Sequence, residues 1–298
     1  MMNKLLAAIR FLFRKRLSID SSVLSMQMSD YYFSISQQQA DEYRSIVEPP
    51  LPVKTQLAVH PLYLTKISWF LVKNLNQFLK RPIAPQLLKM LVHMSDRFEY
   101  FEMLEIDTKY RVESHLSLIE GHSKGVRLMV RFEYFKDNKL IAVEHTGGLL
   151  FGVKCLGGRR ELGAQPQNPR YPEILIWQDF LPIDKNLPFE YAKKAEIDAP
   201  IHTQPEFAKS IGLPDIILQG TCTFAKAVSL VWEKYYQRRD YSQIKCLSAN
   251  FTGMLFVPNE IKVRLVYQST NKLVFDVLDK DGNSVIKGGC IELNSGEQ

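Results

Sequence analysis

The chain has 298 residues, 46% of them hydrophobic and 23% charged, which is room for two domains and too apolar a composition for disorder. Lys and Arg exceed Asp and Glu by 38 to 32, a formal charge of +6, yet no basic stripe interleaved with aromatics is present, so no nucleic-acid partner is expected. Cys155, Cys222, Cys246 and Cys290 are far apart, with no CxxC pair and no nearby His ladder, which argues against a zinc site and a disulfide framework. Reduced thiols in a cytoplasmic protein are the expectation.

In chain order, Met1 to Ile19 comes first. It carries Lys4, Arg10, Arg14, Lys15 and Arg16 and no acid, with Leu5, Ile9, Leu12 and Phe13 at helical spacing. Such a basic amphipathic helix suits contact with a membrane surface through residues 4–16, a transit peptide, or an ordinary amphipathic helix. Because Arg10 interrupts the apolar run early, a secretory signal is not expected. These five cations leave the rest of the chain close to neutral. The apolar stretches around Leu57 to Val72 are broken by Lys54, His60 and Lys66, so no segment is expected to cross a bilayer. Ser18 to Glu48 is polar and ends at Pro49, Pro50 and Pro52, which reads as a poorly packed connection.

The block from Leu62 to Leu79 is apolar at helical spacing and breaks at Pro82 and Pro85. The period then changes to two. Tyr110 to Leu118 reads as a strand; Val126, Leu128, Val130 and Phe132 alternate with polar neighbours, and Lys136-Asp137-Asn138-Lys139 turns the chain into a returning strand. The same pattern recurs near the C-terminus, where Ile261, Val263, Leu265 and Tyr267 alternate and Asp279 to Asn283 supplies a turn. Two similar halves follow, each a helix preceding an antiparallel meander. The expected division is a basic helix and linker (1–48), a first half (49–153), a Gly-, Pro-, Gln- and Asn-rich linker (154–172) and a second half (173–298).

Tyr191 to Ser229 carries the chemistry. After a strand at Tyr191, Pro200-Ile201-His202 precedes Thr203-Gln-Pro-Glu206, which reads as a capping box, and Gly212 with Pro214 stops the short helix. From Thr221, residues Phe224, Val228, Val231 and Tyr235 repeat at helical spacing, giving a long buried helix that starts at Gly220. The unpaired amides of a helix N-terminus polarise a carbonyl oxygen placed there, and glycine lets a ligand approach closely. His202 nearby is a proton-transfer group for neutral pH. The other histidines, His60, His93, His115, His122 and His145, form no ligand-like cluster and read as ordinary surface or core residues.

The run Tyr191-Ala192, Pro200-Ile201-His202, Glu206-Phe-Ala-Lys209, Gly212-Leu-Pro214 and Ile216-Ile-Leu-x-Gly220 resembles the hydratase motif of the MaoC-like dehydratases, the (R)-specific enoyl-CoA hydratase group. Asn250-Phe-Thr-Gly253 with Pro258 resembles the later strand of the same domain, and residues 51–152 resemble the degenerate N-terminal half of two-domain members. The resemblance implies an α+β double hotdog, each half a long central helix wrapped by an antiparallel sheet. It further implies syn hydration of a trans-2-enoyl thioester or its reverse, in fatty-acid metabolism. No metal or redox cofactor is implied. The partners implied are an acyl thioester on CoA or an acyl carrier protein, and monomer and homodimer both stay open. His202 and Gly220 carry over onto the family's pattern. The family's acid position is occupied by Ile197 and its Asn by Ala199, while Gln219 stands where His is common. Asp198 is the nearest replacement acid, although adjacent residues of an extended segment face opposite ways. A catalytically silent protein that binds an acyl chain or a partner is the alternative.

Overall fold

The computed structural model describes residues 17–25, 28–49, 58–78, 84, 87, 91–166, 171, 174–236 and 240–294. The basic segment 4–16 lies outside them. Strands β1 (Ser18–Asp20) and β2 (Tyr31–Ser34) lead to helix α1 (Gln37–Val47), then α2 (Leu64–Lys73) and α3 (Leu75–Phe78). Four long strands follow, β3 (Leu91–Tyr100), β4 (Lys109–His122), β5 (Gly125–Lys136) and β6 (Lys139–Phe151), with short β7 (Lys154–Leu156) and β8 (Arg160–Glu161). The second half contains β9 (Trp177–Ile183), helices α4 (Leu187–Ala195), α5 (Pro200–Thr203), α6 (Pro205–Ser210) and α7 (Gly220–Tyr236), and strands β10 (Ile244–Phe251), β11 (Asn259–Ser269), β12 (Lys272–Leu278) and β13 (Ser284–Leu293).

Local chemistry explains the turns. Asp137 and Asn138 both take positive φ, 48° and 63°, as the two-residue hairpin between β5 and β6 requires. Asp279 Oδ1 accepts from the amides of Asp281 and Asn283 to close the β12–β13 turn. Both expected hairpins are present. Each half is a helix followed by four antiparallel strands, the last three a meander and the first paired with the last, and the two sets join. The sheet runs β2-β4-β5-β6-β3-β10-β13-β12-β11-β9, with β8 added on β4. Its centre is the antiparallel pair β3 and β10, in which Phe98 faces Leu247, Asp96 faces Ala249 and Ser95 faces Asn250.

Helix α7 lies under the sheet, with Thr221 to Ala225 and Ala227 to Ser229 buried almost all round, so it is a core helix rather than a surface one. The helix of the first half is shorter than expected. Asn74 ends α2 because both its backbone amide and its side-chain amide donate to the Phe70 carbonyl, at 3.1 and 2.9 Å. His60 ties the halves together, its Nε2 lying 3.1 Å from the Ser229 hydroxyl on α7. One hydrophobic cluster runs from Met28 through Trp232 to Leu293, so the halves share a core.

Two expected linkers are packed structure. Within 18–48, Ser36 caps α1 through a reciprocal pair with Gln39, and Ile35, Ala40 and Tyr43 are wholly buried. The segment is polar because α1 shows a wide outer face to solvent, while its apolar residues pack on α4 and α7. Within 154–172, β7 pairs with β1, β8 pairs with β4, and Gln165 donates to the Ser117 carbonyl at 2.9 Å. Two local expectations also fail around the motif. Tyr191 lies on a helix, because Pro188 sits in its first turn and Ala192 to Ala195 are good helix formers. Thr203 caps nothing, since Pro200 and Pro205 each open a helix of their own and leave Gln204 between them without a side-chain cap bond.

A Cβ built on Gly253 would lie 2.3 Å from the Ser284 carbonyl oxygen, a backbone atom that cannot move aside. Gly253→Ala is therefore expected to destabilise the fold by about 1–3 kcal/mol, measured as a lowered urea midpoint at unchanged slope.

Candidate functional site

His202 occupies the single turn of α5, where its backbone amide donates to the Ala199 carbonyl at 2.9 Å. Its Nδ1 lies 2.9 Å from the Ile217 carbonyl oxygen, an acceptor, so Nδ1 carries the proton and Nε2 carries the lone pair. Ile217 returns the contact through its own amide, which donates to the Ile201 carbonyl at 3.3 Å. Three residues on, Gly220 opens α7. The loop carrying His202 is thus bolted to the loop that delivers the helix N-terminus.

Gln219 fastens the same corner. Its side-chain amide donates to the carbonyls of Pro188 and Ile197, both at 3.0 Å, and is buried; its Oε1 has no hydrogen-bond partner. A buried unpaired carbonyl is unfavourable, so Gln219 is retained at some cost in stability. Its donors hold the segment around Ile197 in place, a role that a residue expected to stand in for His does not announce in sequence.

Gly220 faces the ring of Phe251 on β10: a Cβ at this position would come 3.0 Å from Phe251 Cδ1. Glycine is needed here for close approach. The leading amides of α7 have no helical carbonyl ahead of them and carry the positive end of a 17-residue helix dipole. Burial lowers the pKa of His202 to about 4 against the raising effect of the Ile217 bond, and the neighbouring His93 imidazole lowers it further. At neutral pH His202 is an uncharged acceptor beside an oxyanion-stabilising helix end.

The other expected residue is elsewhere. Asp198 Oδ1 lies 2.5 Å from Lys73 Nζ at the end of α2, and both side chains are about half exposed. Ile197 is buried at the family's acid position, and Ala199 caps α5 without a side-chain bond. The structure therefore bonds the His202 loop to the segment that leads into Gly220 and turns Asp198 outward. Glu196 similarly reaches Lys66 at 2.7 Å. A cavity of about 260 Å³ opens along α2, lined by Tyr31, Phe33, Tyr63, Ile67 and Phe70 with Lys66 and Glu196 at its polar side. Along α7, by contrast, the side chains are packed.

Sequence reading passed over His93. On β3 its Nε2 lies 2.8 Å from Asp96 Oδ1, its ring centroid is 4.3 Å from that of Phe251, and Trp69 of α2 closes on it at 4.9 Å. Nothing in its local sequence marks it, because Trp69 and Phe251 reach it from distant elements and a strand bulge is needed to set it beside Asp96. Among the described residues no group of three His, Cys, Asp or Glu side chains could hold a metal ion, and no helix is long and apolar enough to cross a membrane.

Comparison with known proteins gives three consistent findings. The family model for the MaoC like domain matches residues 195–287. The peroxisomal enoyl-CoA hydratase 2 of Arabidopsis thaliana is 28% identical over 94 residues, 32% of this chain and 30% of that protein. The mouse (Mus musculus) peroxisomal multifunctional enzyme type 2 is 20% identical over 206 residues, 68% of this chain and 27% of that protein. The matched segments thus span less than a third of these relatives' own length. Among solved structures, a MaoC-like dehydratase from Phytophthora capsici superposes with a TM-score of 0.78 at 16% identity, covering 92% of this chain and 98% of that one. That agreement shows the fold, including the expected doubled arrangement of helix and antiparallel sheet.

The depressed pKa of His202 has a consequence for stability. Its folded pKa of about 4 lies below the ordinary 6.5, so the unfolded chain takes up a proton that the folded chain refuses. This contribution is complete above pH 6.5 and is lost as pH falls toward 4. Relative to wild type, His202→Gln is expected to gain about 2 kcal/mol between pH 7.5 and 4.5, read from urea unfolding at the two pH values; an unchanged difference would contradict the buried neutral imidazole.

Proposed function

With residues 195–287 a MaoC-like domain, we propose that the protein adds water to, or removes it from, an enoyl or 3-hydroxyacyl thioester, with His202 and Gly220 at the reacting centre. The observation that carries this reading is the bond from His202 Nδ1 to the carbonyl of Ile217, which leaves Nε2 as the acceptor and ties His202 to a residue three positions before the Gly220 start of α7. The thioester oxygen accepts from the leading amides of α7, which stabilise the enolate-like charge that develops as water attacks the β-carbon. His202 Nε2 accepts from the attacking water and orients it. The related enoyl-CoA hydratase 2 by name supports the same substrate class. The aromatic cavity along α2 is the proposed berth of the acyl chain, placing the first half in a binding role.

The alternative of a silent acyl-binding protein has one observation in its favour: Ile197 puts an apolar side chain where the family has an acid. Asp198 does not repair this, because Lys73 holds it at the surface.

Hydration of crotonyl-CoA, followed by loss of enoyl absorbance, tests the reading. His202→Ala is expected to lower kcat by about 100-fold or more, whereas Asp198→Asn is expected to leave it within about twofold. Equal rates for His202→Ala and wild type would overturn the assignment of the site.

A further inference from the structure

The strand β3 carries an irregularity that the fold does not require. In a regular strand residues three apart face opposite sides of the sheet. Opposite β6, however, His93 pairs with Gly148 and Ser95 with Gly147, so two steps on β3 match one on β6. This bulge turns His93 to the side of Asp96, and bulges of this kind re-aim side chains. The glycines on β6 make room for it: a Cβ on Gly147 would lie 2.3 Å from Ser95 Oγ, and one on Gly148 would lie 2.5 Å from Leu91 Cδ1.

The result is an imidazole with a carboxylate behind it. Asp96 is fully buried, its Oδ1 takes the His93 Nε2 contact at 2.8 Å, and its Oδ2 has no hydrogen-bond partner. With Asp96 accepting at Nε2, the lone pair of His93 is at Nδ1. Beside Asp96 across the sheet lies Glu144, whose carboxyl receives hydrogen bonds from Tyr134 at 2.5 Å and Thr146 at 2.8 Å. Burial, then the charge of Asp96, push the Glu144 carboxyl strongly up. The pair β3 and β10 brings this assembly to the site: the His93 ring lies tilted against Phe251, and Phe251 covers Gly220.

We propose that His93, held by Asp96, is a catalytic partner of His202, so that the carboxylate missing at Ile197 is supplied from the first half of the chain through an imidazole. The proposal rests on the hydratase reading of the site. One water is held between two acceptors, His202 Nε2 and His93 Nδ1. As its oxygen bonds to the β-carbon, its O–H bond breaks and the proton passes to His93, whose cation has the Asp96 carboxylate against it. The π electrons of the double bond move toward the thioester oxygen at the end of α7. The imidazolium then delivers the proton to the α-carbon, which restores the carbonyl; one water is added and both imidazoles end as they began. His202, whose cation burial disfavours, orients the water and does not carry the proton. Asp96 is a positioning residue.

The full chain is assayed for hydration of short-, medium- and long-chain trans-2-enoyl-CoA as wild type, His93→Gln and Asp96→Asn, each variant being checked by thermal unfolding. His93→Gln is expected to lose about 100-fold or more in kcat, with KM within about threefold of wild type. Asp96→Asn is expected to lower kcat by about 10-fold or more with KM within about threefold of wild type, because the His93 cation formed during the step loses its counter-charge. A folded His93→Gln with wild-type kcat overturns the proposal and leaves the hydratase reading standing. So does a folded Asp96→Asn with wild-type kcat, and this second variant decides the matter if His93→Gln does not fold. A wild type without turnover at every chain length overturns the hydratase reading and the proposal together.

Discussion

The antiparallel pairing of β3 with β10 is the contact on which the rest of the molecule depends. The strand sets of the two halves become one continuous sheet through it, and the amides and carbonyls on the facing edges of β3 and β10 are satisfied across the join. The same register sets Asp96 opposite Ala249 and Ser95 opposite Asn250, which brings His93 to Phe251. Slipping it by one residue would exchange the two faces of β3 and send Asp96 and Phe98 out of the core. The pairing is thus a stability device and a positional one at once.

Around this join the core is unusually rich in polar groups. Asp96, Glu144, Ser68, Thr146 and His60 are all buried, and most of them have a partner from another element. Such groups contribute little net stability, yet they fix relative positions because alternative packings would leave them unpaired. The Ser229 hydroxyl meets His60 across the two halves, and Tyr191 meets Thr221 at 3.1 Å next to Gly220. Lys66 with Glu196 and Lys73 with Asp198 pin the outer side of α2 to the segment before His202. The Lys73–Asp198 pair is half-exposed and orients that segment rather than stabilising the fold to any large degree, whereas Lys66 is buried with only Glu196 reaching solvent. The first half therefore supports the site of the second on three sides: α2, β3 and the turn before α2.

Much of this was legible in the residues. The two hairpins followed from strict alternation and from Asp137-Asn138 and Asp279 to Asn283, where the turn chemistry is local. Helix α7 and its start at Gly220 followed from periodicity and from a glycine at the boundary. The errors share one cause. Residues 18–48 looked like a connection because α1 buries a narrow face under a polar surface, and Tyr191 looked like a strand residue because its burial comes from α7 and α1 and not from its own segment. Where two prolines lie five residues apart, at 200 and 205, pattern alone could not say which would open a helix; each did.

By itself the sequence determined the α+β class, the doubled helix-and-meander order, and the pairing of a histidine with a helix N-terminus, since each depends on neighbours within a few turns of chain. The tertiary structure alone decided which side chains lie near the corner that carries Ile197 and His202. Asp198, one residue away in sequence, is taken to the surface by Lys73, whereas His93 and Asp96, more than a hundred residues away, reach the site through a bulge and a strand pairing. Chain distance is a poor guide there, because the sheet register, not the covalent neighbour, sets which side chains meet.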